Sequence, residues 1–382
     1  MKTRIALVIL MHVALPARAQ MFTVKPTAIA RPAPFDFAAA VAASLAPVNS
    51  YGFRVATAVV EIPPGEWHVR SRPDLQNAHG LTIRGSGPHS KLVLDWDDPN
   101  GVGLDFTGAA YCRLERFTVG RGGNLAAGIM FARRPEANPR SANAHRIDGV
   151  SVEGPWTYAA AVTIASESNL WLDCTFQTIG LGSCMVVTNA APRGLDVSVG
   201  MSTMQRQAWR DCRFLSNGPP GSAPPIRLIK QGVGVVTDLV IDGGDMGVTS
   251  ARVAALSLED IGQPGQLQDV HVRNVRWECG PVAHVIQAIG DGAREFWRVT
   301  LDDSTVYASG DAVYAPGMTL AGWRVSGLNS WIDPGAVGYL SEYERVAVVA
   351  AWTGPTIDWP IGRPGQWNRA WAPQSLAQAQ GR

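Results

Sequence analysis

The chain has 382 residues, of which 46% are hydrophobic and 17% charged, with 40 Gly, 26 Pro and a formal net charge of +1. That is enough apolar material for a large core, and too little Gly and Pro for a collagen-like or disordered chain. No long run of like charge occurs, which argues against a nucleic-acid arm or a polybasic membrane patch.

Taken from the N-terminus, residues 1–19 read as a secretory signal. Lys2 and Arg4 precede an apolar stretch from Ile5 to Leu15, and Ala17-Arg18-Ala19 fits the small-x-small cleavage rule. No later stretch reaches the roughly 18 apolar residues of a membrane span. The expected product is a secreted or periplasmic protein with no membrane span. Asp36 is placed to cap a short Ala-rich helix over 37–46, bounded by Pro47 and Gly52. Residues 35–52 then form an N-terminal cap on a domain running from 20 to 345.

Within that domain an apolar hexad, φ-x-x-φ-x-φ, recurs. It begins at Ala78, Leu114, Ile147, Trp171, Trp209, Val236, Val272, Phe296 and Leu320. Trp171-Cys174-Phe176 and Trp209-Cys212-Phe214 are near copies. Several repeats are 24 residues apart, room for three strands of about 5 residues with their turns but too short for a βαβ unit of about 30. One such turn cannot bury its apolar face alone, so the spacing predicts an all-β, single-stranded parallel solenoid of about nine coils. Residues 346–382 carry Trp352, Trp359, Trp367 and Trp371 among prolines without a hexad, and are expected to form an irregular C-terminal cover. The five cysteines match no zinc spacing and read as core residues. A bridge between Cys174 and Cys212, which share a hexad position, is the alternative.

The opening segment, Ala58-Val-Val-Glu-Ile-Pro-Pro-Gly-Glu-Trp67, followed by Gly80-Leu-Thr-Ile-Arg-Gly85 and the turn Gly85-Ser-Gly87, resembles the N-terminal cap and first coil of the pectate-lyase-like right-handed parallel β-helix superfamily. The resemblance implies a right-handed β-helix over about residues 35–330. It also implies kinship with polysaccharide lyases, glycoside hydrolases of polyuronides, uronate epimerases and tailspikes. The subfamily motifs are incomplete. Asp302-Asp303 is similar to the paired aspartates of polygalacturonases, and Arg227-Leu-Ile-Lys230 is loosely similar to their R-I-K.

Aligning the hexads gives outward columns. The residue after each hexad places Asp242, Glu278 and Asp302 on consecutive turns, with Asp303 beside the last, and these four are the candidate catalytic acids. Stacked carboxylates about 5 Å apart repel, so they would bind a proton or a cation. Asp242, Glu278 and Asp302 are therefore also the candidate metal ligands, with Ca²⁺ the cation their oxygens suit. Arg213, Arg276 and Arg324 fall in another outward column and are the candidate substrate-binding residues. A third column, Asp173, Asp211, Asp238 and Asn274, fits backbone-bonding turn residues. Two functions follow: an exported protein that binds and cleaves an acidic polysaccharide, as lyase or hydrolase, or a non-catalytic surface or adhesion solenoid. Oligomeric state is open.

Overall fold

The computed structural model describes residues 35–135, 143–262, 265–279, 282–290, 295–302, 304–308, 311–314, 319–321, 324–326, 329–330 and 357–358. The signal-like segment 1–19, the tail tryptophans and Asp303 lie outside the described residues.

A helix, Phe37–Ser44, opens the domain. Its N-cap is Asp36, whose Oδ1 accepts from the Ala39 amide at 3.0 Å, satisfying one of the orphan N–H groups of the first turn. Phe37 and Val41 are buried in the same apolar cluster as Val60 and Leu75, so the helix closes the end of the core. Trp67 takes the aromatic place of the opening motif. Its ring meets Phe35 edge-on at 5.5 Å, and its Nε1 donates to the Pro63 carbonyl at 2.8 Å.

Three long sheets follow, and every strand pairs with its counterpart one coil away. One coil shows the plan: Leu170–Leu172 lies in a first sheet, Thr175–Thr178 in a second and Ser183–Thr188 in a third. Among the described residues the first sheet has twelve strands, the second ten and the third eight. Among the named strand pairs of the described residues, all are parallel except that between Arg324–Ser326 and Ile357–Asp358. The chain is a right-handed parallel β-helix, and ten rungs are present in the second sheet. Like apolar side chains stack between several rungs. Phe176 and Phe214 stack at 5.4 Å, and Phe106 and Phe131 at 4.9 Å. Trp171 and Trp209, in register, are buried.

The bends explain much of the polar sequence. Arg116, Gly149, Asp173, Asp211, Gly243 and Asn274 have φ between 49° and 75°. They form the corner between the first and second sheets. A left-handed conformation suits Gly, Asn and Asp. Each of the first five donates its amide one coil on, as Asp211 does to the Asp242 carbonyl at 2.9 Å. Gly80, Ser168, Arg206, Asp238, Asp269 and Arg298 form a second left-handed column that kinks the chain on entry to the first sheet. Asp173, Asp211 and Asn274 are thus corner residues as expected, whereas Asp238 belongs to the second column.

The same pairing corrects the register of four hexads. Trp209 pairs with Ile241, not Val236, and Ile241 continues to Val272 and Leu301. At the true corners the apolar pattern is interrupted. Gly244 stands where Cys212 stands one coil earlier, because a Cβ there would lie 1.9 Å from the Cys212 carbonyl oxygen. Ser304 fills the corresponding slot after Leu301, buried, with its Oγ accepting from the Val275 amide at 3.3 Å. The hexads beginning at Ala78, Val236, Phe296 and Leu320 therefore mark the approach to the corner, not the corner itself.

The five cysteines are buried thiols. Burial pushes Cys184 up to about 12, and burial together with the Cys174 thiol raises Cys212. The segment after Thr188 crosses the outside of the third sheet. Leu195, Val197 and Val199 pack on a second apolar cluster that includes Met130, Ala132, Val162 and Val186. This strap is tied down by Asp196 N to Asn100 O at 2.8 Å and Gly200 N to Arg133 O at 2.9 Å.

Candidate functional site

The corrected register redistributes the candidate acids. Asp242 and Asp302 share one column of the first sheet, two rungs apart, with Arg273 between them. Glu278 belongs to the second sheet, in register with Gly247 and Tyr307. The three do not stack as one ladder, because the hexads at Val236 and Phe296 were one corner out of step with that at Val272. Asp242 and Glu278 face out of different sheets. Among the described residues no group of three or more His, Cys, Asp or Glu is placed to hold a metal ion. The side chains of Asp302 and Arg324 lie outside the described part, and Arg324 aligns with Thr300 in the first sheet.

Arg213 and Arg276 do share a column, on the second sheet, with Asp245 between them. Arg213 faces Asp245 at 3.5 Å, and Arg276 pairs with Glu278. The polygalacturonase-like Arg227 and Lys230 have a structural place: Arg227 makes a two-pronged contact with Glu259, at 2.7 and 2.8 Å, and Lys230 is fully buried 3.4 Å from Asp260.

The outer face of the first sheet carries a charge pattern that sequence alignment by hexads had split. Its main column runs Glu61, Arg84, Glu115, Asp148, Leu172 and Arg210, then Asp242, Arg273 and Asp302. Over much of its length, opposite charges alternate. Arg84 Nε donates to Glu115 at 2.6 Å, and Arg273 Nη2 to Asp242 Oδ2 at 2.7 Å. Alternation removes the repulsion that a stack of acids would suffer, so no cation is needed. The hydrogen bond from Arg273 holds the Asp242 carboxyl below the usual range, with Asn274 Nδ2 adding a second donor at 3.0 Å. Asp242 is thus a firmly ionised acceptor, suited to a base and unsuited to a general acid at neutral pH.

Beside it runs a second outward column: Arg113, Arg146, Leu170, Ala208, Val240 and His271. Arg113, Arg146, Arg206 and Arg210 are exposed, while Leu170 and Leu172 lie half-buried between them. His271 Nδ1 is held by Thr300 Oγ1 at 2.7 Å. The result is a strip with guanidinium groups on neighbouring rungs, an apolar centre, and the Asp242–Arg273 pair with His271 farther along. None of Arg113, Arg146, Arg206, Arg210, Arg273 and His271 was among the sequence candidates. The signal that marks them is the left-handed corner, visible as Gly243-Gly244, rather than the apolar hexad.

No family model matches the chain, and no curated protein matches it. Among solved structures it is similar to endo-xylogalacturonan hydrolase from Aspergillus tubingensis, with 8% identity over 73% of this chain and 86% of that one and a TM-score of 0.44. It is also similar to the A-module of mannuronan C-5 epimerase AlgE4 from Azotobacter vinelandii (11% identity, 78% and 92% covered, TM-score 0.40). A third is the tailspike gp49 of Acinetobacter baumannii bacteriophage Fri1, a capsular polysaccharide depolymerase (10% identity, 73% and 55% covered, TM-score 0.37). These likenesses concern the fold alone, and the β-helix itself rests on the strand pairing of this chain.

Proposed function

We propose that this β-helix binds an acidic polysaccharide along the outer face of its first sheet, as an exported carbohydrate-active protein. The observation that carries the reading is the set of exposed arginines, Arg113, Arg146, Arg206 and Arg210, on neighbouring rungs around Leu170 and Leu172. Rungs repeat at about 4.8 Å, so Arg113 and Arg146 stand one rung apart and Arg210 two rungs beyond Arg146, and a linear polyanion laid across the strands meets guanidinium donors on either side of the leucines. Guanidinium forks suit carboxylates, and the leucines offer apolar surface to a sugar ring.

For cleavage, the acid pair on this face is Asp242 with Asp302. Two rungs put their backbones about 10 Å apart, near the upper end of the 6.5–9.5 Å carboxyl spacing of inverting glycosidases. Asp242 would act as the base. The deciding experiment is affinity electrophoresis in gels carrying polygalacturonate, alginate or neutral glucan, with reducing-end and ultraviolet assays on the same substrates. Retardation by uronate polymers, relieved in Arg113→Gln/Arg210→Gln, is expected. New reducing ends without a new double bond identify hydrolysis, and a new double bond identifies a lyase. Equal migration through every gel would defeat the reading.

A further inference from the structure

A cavity of about 300 Å³ lies at the other side of the coil stack, lined by Arg72, Gln76, Asp105, Arg134, Asp196 and Val197 among others. Its volume is at the lower end of the range for small-molecule sites. Four segments far apart in sequence meet there: residues 72–76, the end of the third-sheet strand Asp98–Thr107, the residues after the strand Leu125–Ala132, and the strap over that sheet. The strap and the residues after Ala132 lie in long gaps between hexads, and inserts in repeat proteins tend to gather on a binding face.

The cavity is built rather than left over. Asp105 is 2% exposed, and all its acceptor capacity is committed. Oδ2 takes bonds from Arg72 and from Gln76 Nε2 at 2.7 Å, and Oδ1 from the Thr107 amide at 2.9 Å and hydroxyl at 2.6 Å. Asp105 thereby fixes the orientation of Arg72 and Gln76, which line the cavity with it. Arg134 is seated against Gly108, where a Cβ would come within 2.5 Å of its Cγ and Cδ, and Gly108 has φ of +72°. Gly200 of the strap passes over the Arg134 backbone, where a Cβ would meet its carbonyl at 2.3 Å. Asp196, exposed, supplies acceptors from the strap wall.

Two guanidinium groups and two carboxylates give the wall no net charge. Such a wall offers forked donors, a carboxylate acceptor and a little apolar surface from Val197, which match adjacent hydroxyls on a pyranose and give no preference for a charged ligand. We propose that this cavity is a binding site for a neutral saccharide unit, separate from the face that takes the acidic chain. The strap is part of its wall, so the site exists only while the strap is docked.

Saturation-transfer NMR on the whole protein with D-glucose, D-galactose, D-mannose, D-xylose and L-rhamnose, against D-galacturonate and D-glucuronate, tests this. At least one neutral sugar should bind saturably, and Asp196→Asn and Arg134→Gln should each weaken it at least fivefold with unchanged melting temperature. Arg210→Gln, on the other face, should leave it unaltered. Should none of the five neutral sugars bind, should a uronate bind more tightly than its neutral counterpart, or should Asp196→Asn and Arg134→Gln both leave binding intact, the proposal is wrong. Because polysaccharide retardation reads the first-sheet face independently, failure of one site is distinguishable from failure of the other.

Discussion

Asp242 and Arg273 face each other across adjacent rungs of the first sheet, 2.7 Å from Oδ2 to Nη2, and this one pairing replaces a stack of acids by an alternating ladder. Both side chains are partly exposed, 23% and 53%, so the pair is worth at most about 1 kcal/mol. The carboxyl is held low in the folded state. Its contribution is therefore present above the unfolded carboxylate range, near pH 4, and disappears as pH falls through the folded value. Urea unfolding of Asp242→Asn should show a loss of under about 1 kcal/mol at pH 7 that diminishes as the pH is taken down towards 2. A loss undiminished at pH 2 would mean the side chain acts through packing instead.

The arginine row predicts a salt-dependent effect. Arg113→Gln and Arg210→Gln should each weaken binding of a uronate polymer about three- to tenfold at low salt, from roughly 1 kcal/mol per exposed charged contact. The difference should shrink as ionic strength rises and the Debye length contracts. Arg227→Gln, whose guanidinium is committed to Glu259, should alter stability before it alters binding. Retardation that is the same in the wild type and the double variant at low salt would remove the arginines from the site.

Corner geometry gives a sharper test. Gly244 has φ of +85°, and a Cβ would sit 1.9 Å from the Cys212 carbonyl oxygen. Gly244→Ala should cost on the order of 2–4 kcal/mol through strain and backbone displacement. Asp211 has φ of 54° in the equivalent column, one residue earlier in its own coil. Asp211→Asn should be nearly neutral there, and Asp211→Val should cost about 1 kcal/mol or more. Chemical denaturation of the three variants would rank them, and a tolerated Gly244→Ala would show that the corner can relax.

The solenoid was legible in the sequence because Trp171-Cys174-Phe176 and Trp209-Cys212-Phe214 repeat the same inward positions, and identical residues stack only if the chain returns to the same place each turn. The capping helix was legible too, from Asp36 and the alanine run. The lateral order of the outer face was not. A hexad search sees apolar residues, and at two corners the apolar slot holds Gly244 and Ser304, so the search slid to the preceding kink, where Leu239 and Val299 sit. Slips of that kind move every outward residue to another column, and Glu278 and Asp242 fell together on paper while facing out of different sheets. The cavity under the strap was beyond reach for another reason: Arg134 and Asp196 reach Asp105 through segments between hexads whose paths no periodicity describes.

His145 offers the cleanest pH prediction. It is 1% exposed, its ring is tilted against that of Phe131 with centroids 4.4 Å apart, and its Nδ1 accepts from the Cys112 amide at 3.2 Å. It is a residue of the interior. Accepting at Nδ1 requires the neutral ring, and burial lowers the imidazole from 6.5 to about 3. The unfolded chain binds a proton at His145 below about pH 6.5, and the folded chain does not until near pH 3. Folding is therefore unaffected above that range and weakens as pH falls through it, by up to tenfold in the equilibrium constant per pH unit. His145→Phe keeps an aromatic ring against Phe131 and carries no proton to bind. Its stability relative to the wild type should rise steadily between pH 6 and pH 4, measured by urea midpoints in parallel titrations. If the two curves stay parallel over that interval, His145 is protonated in the folded protein and the buried neutral ring is wrong.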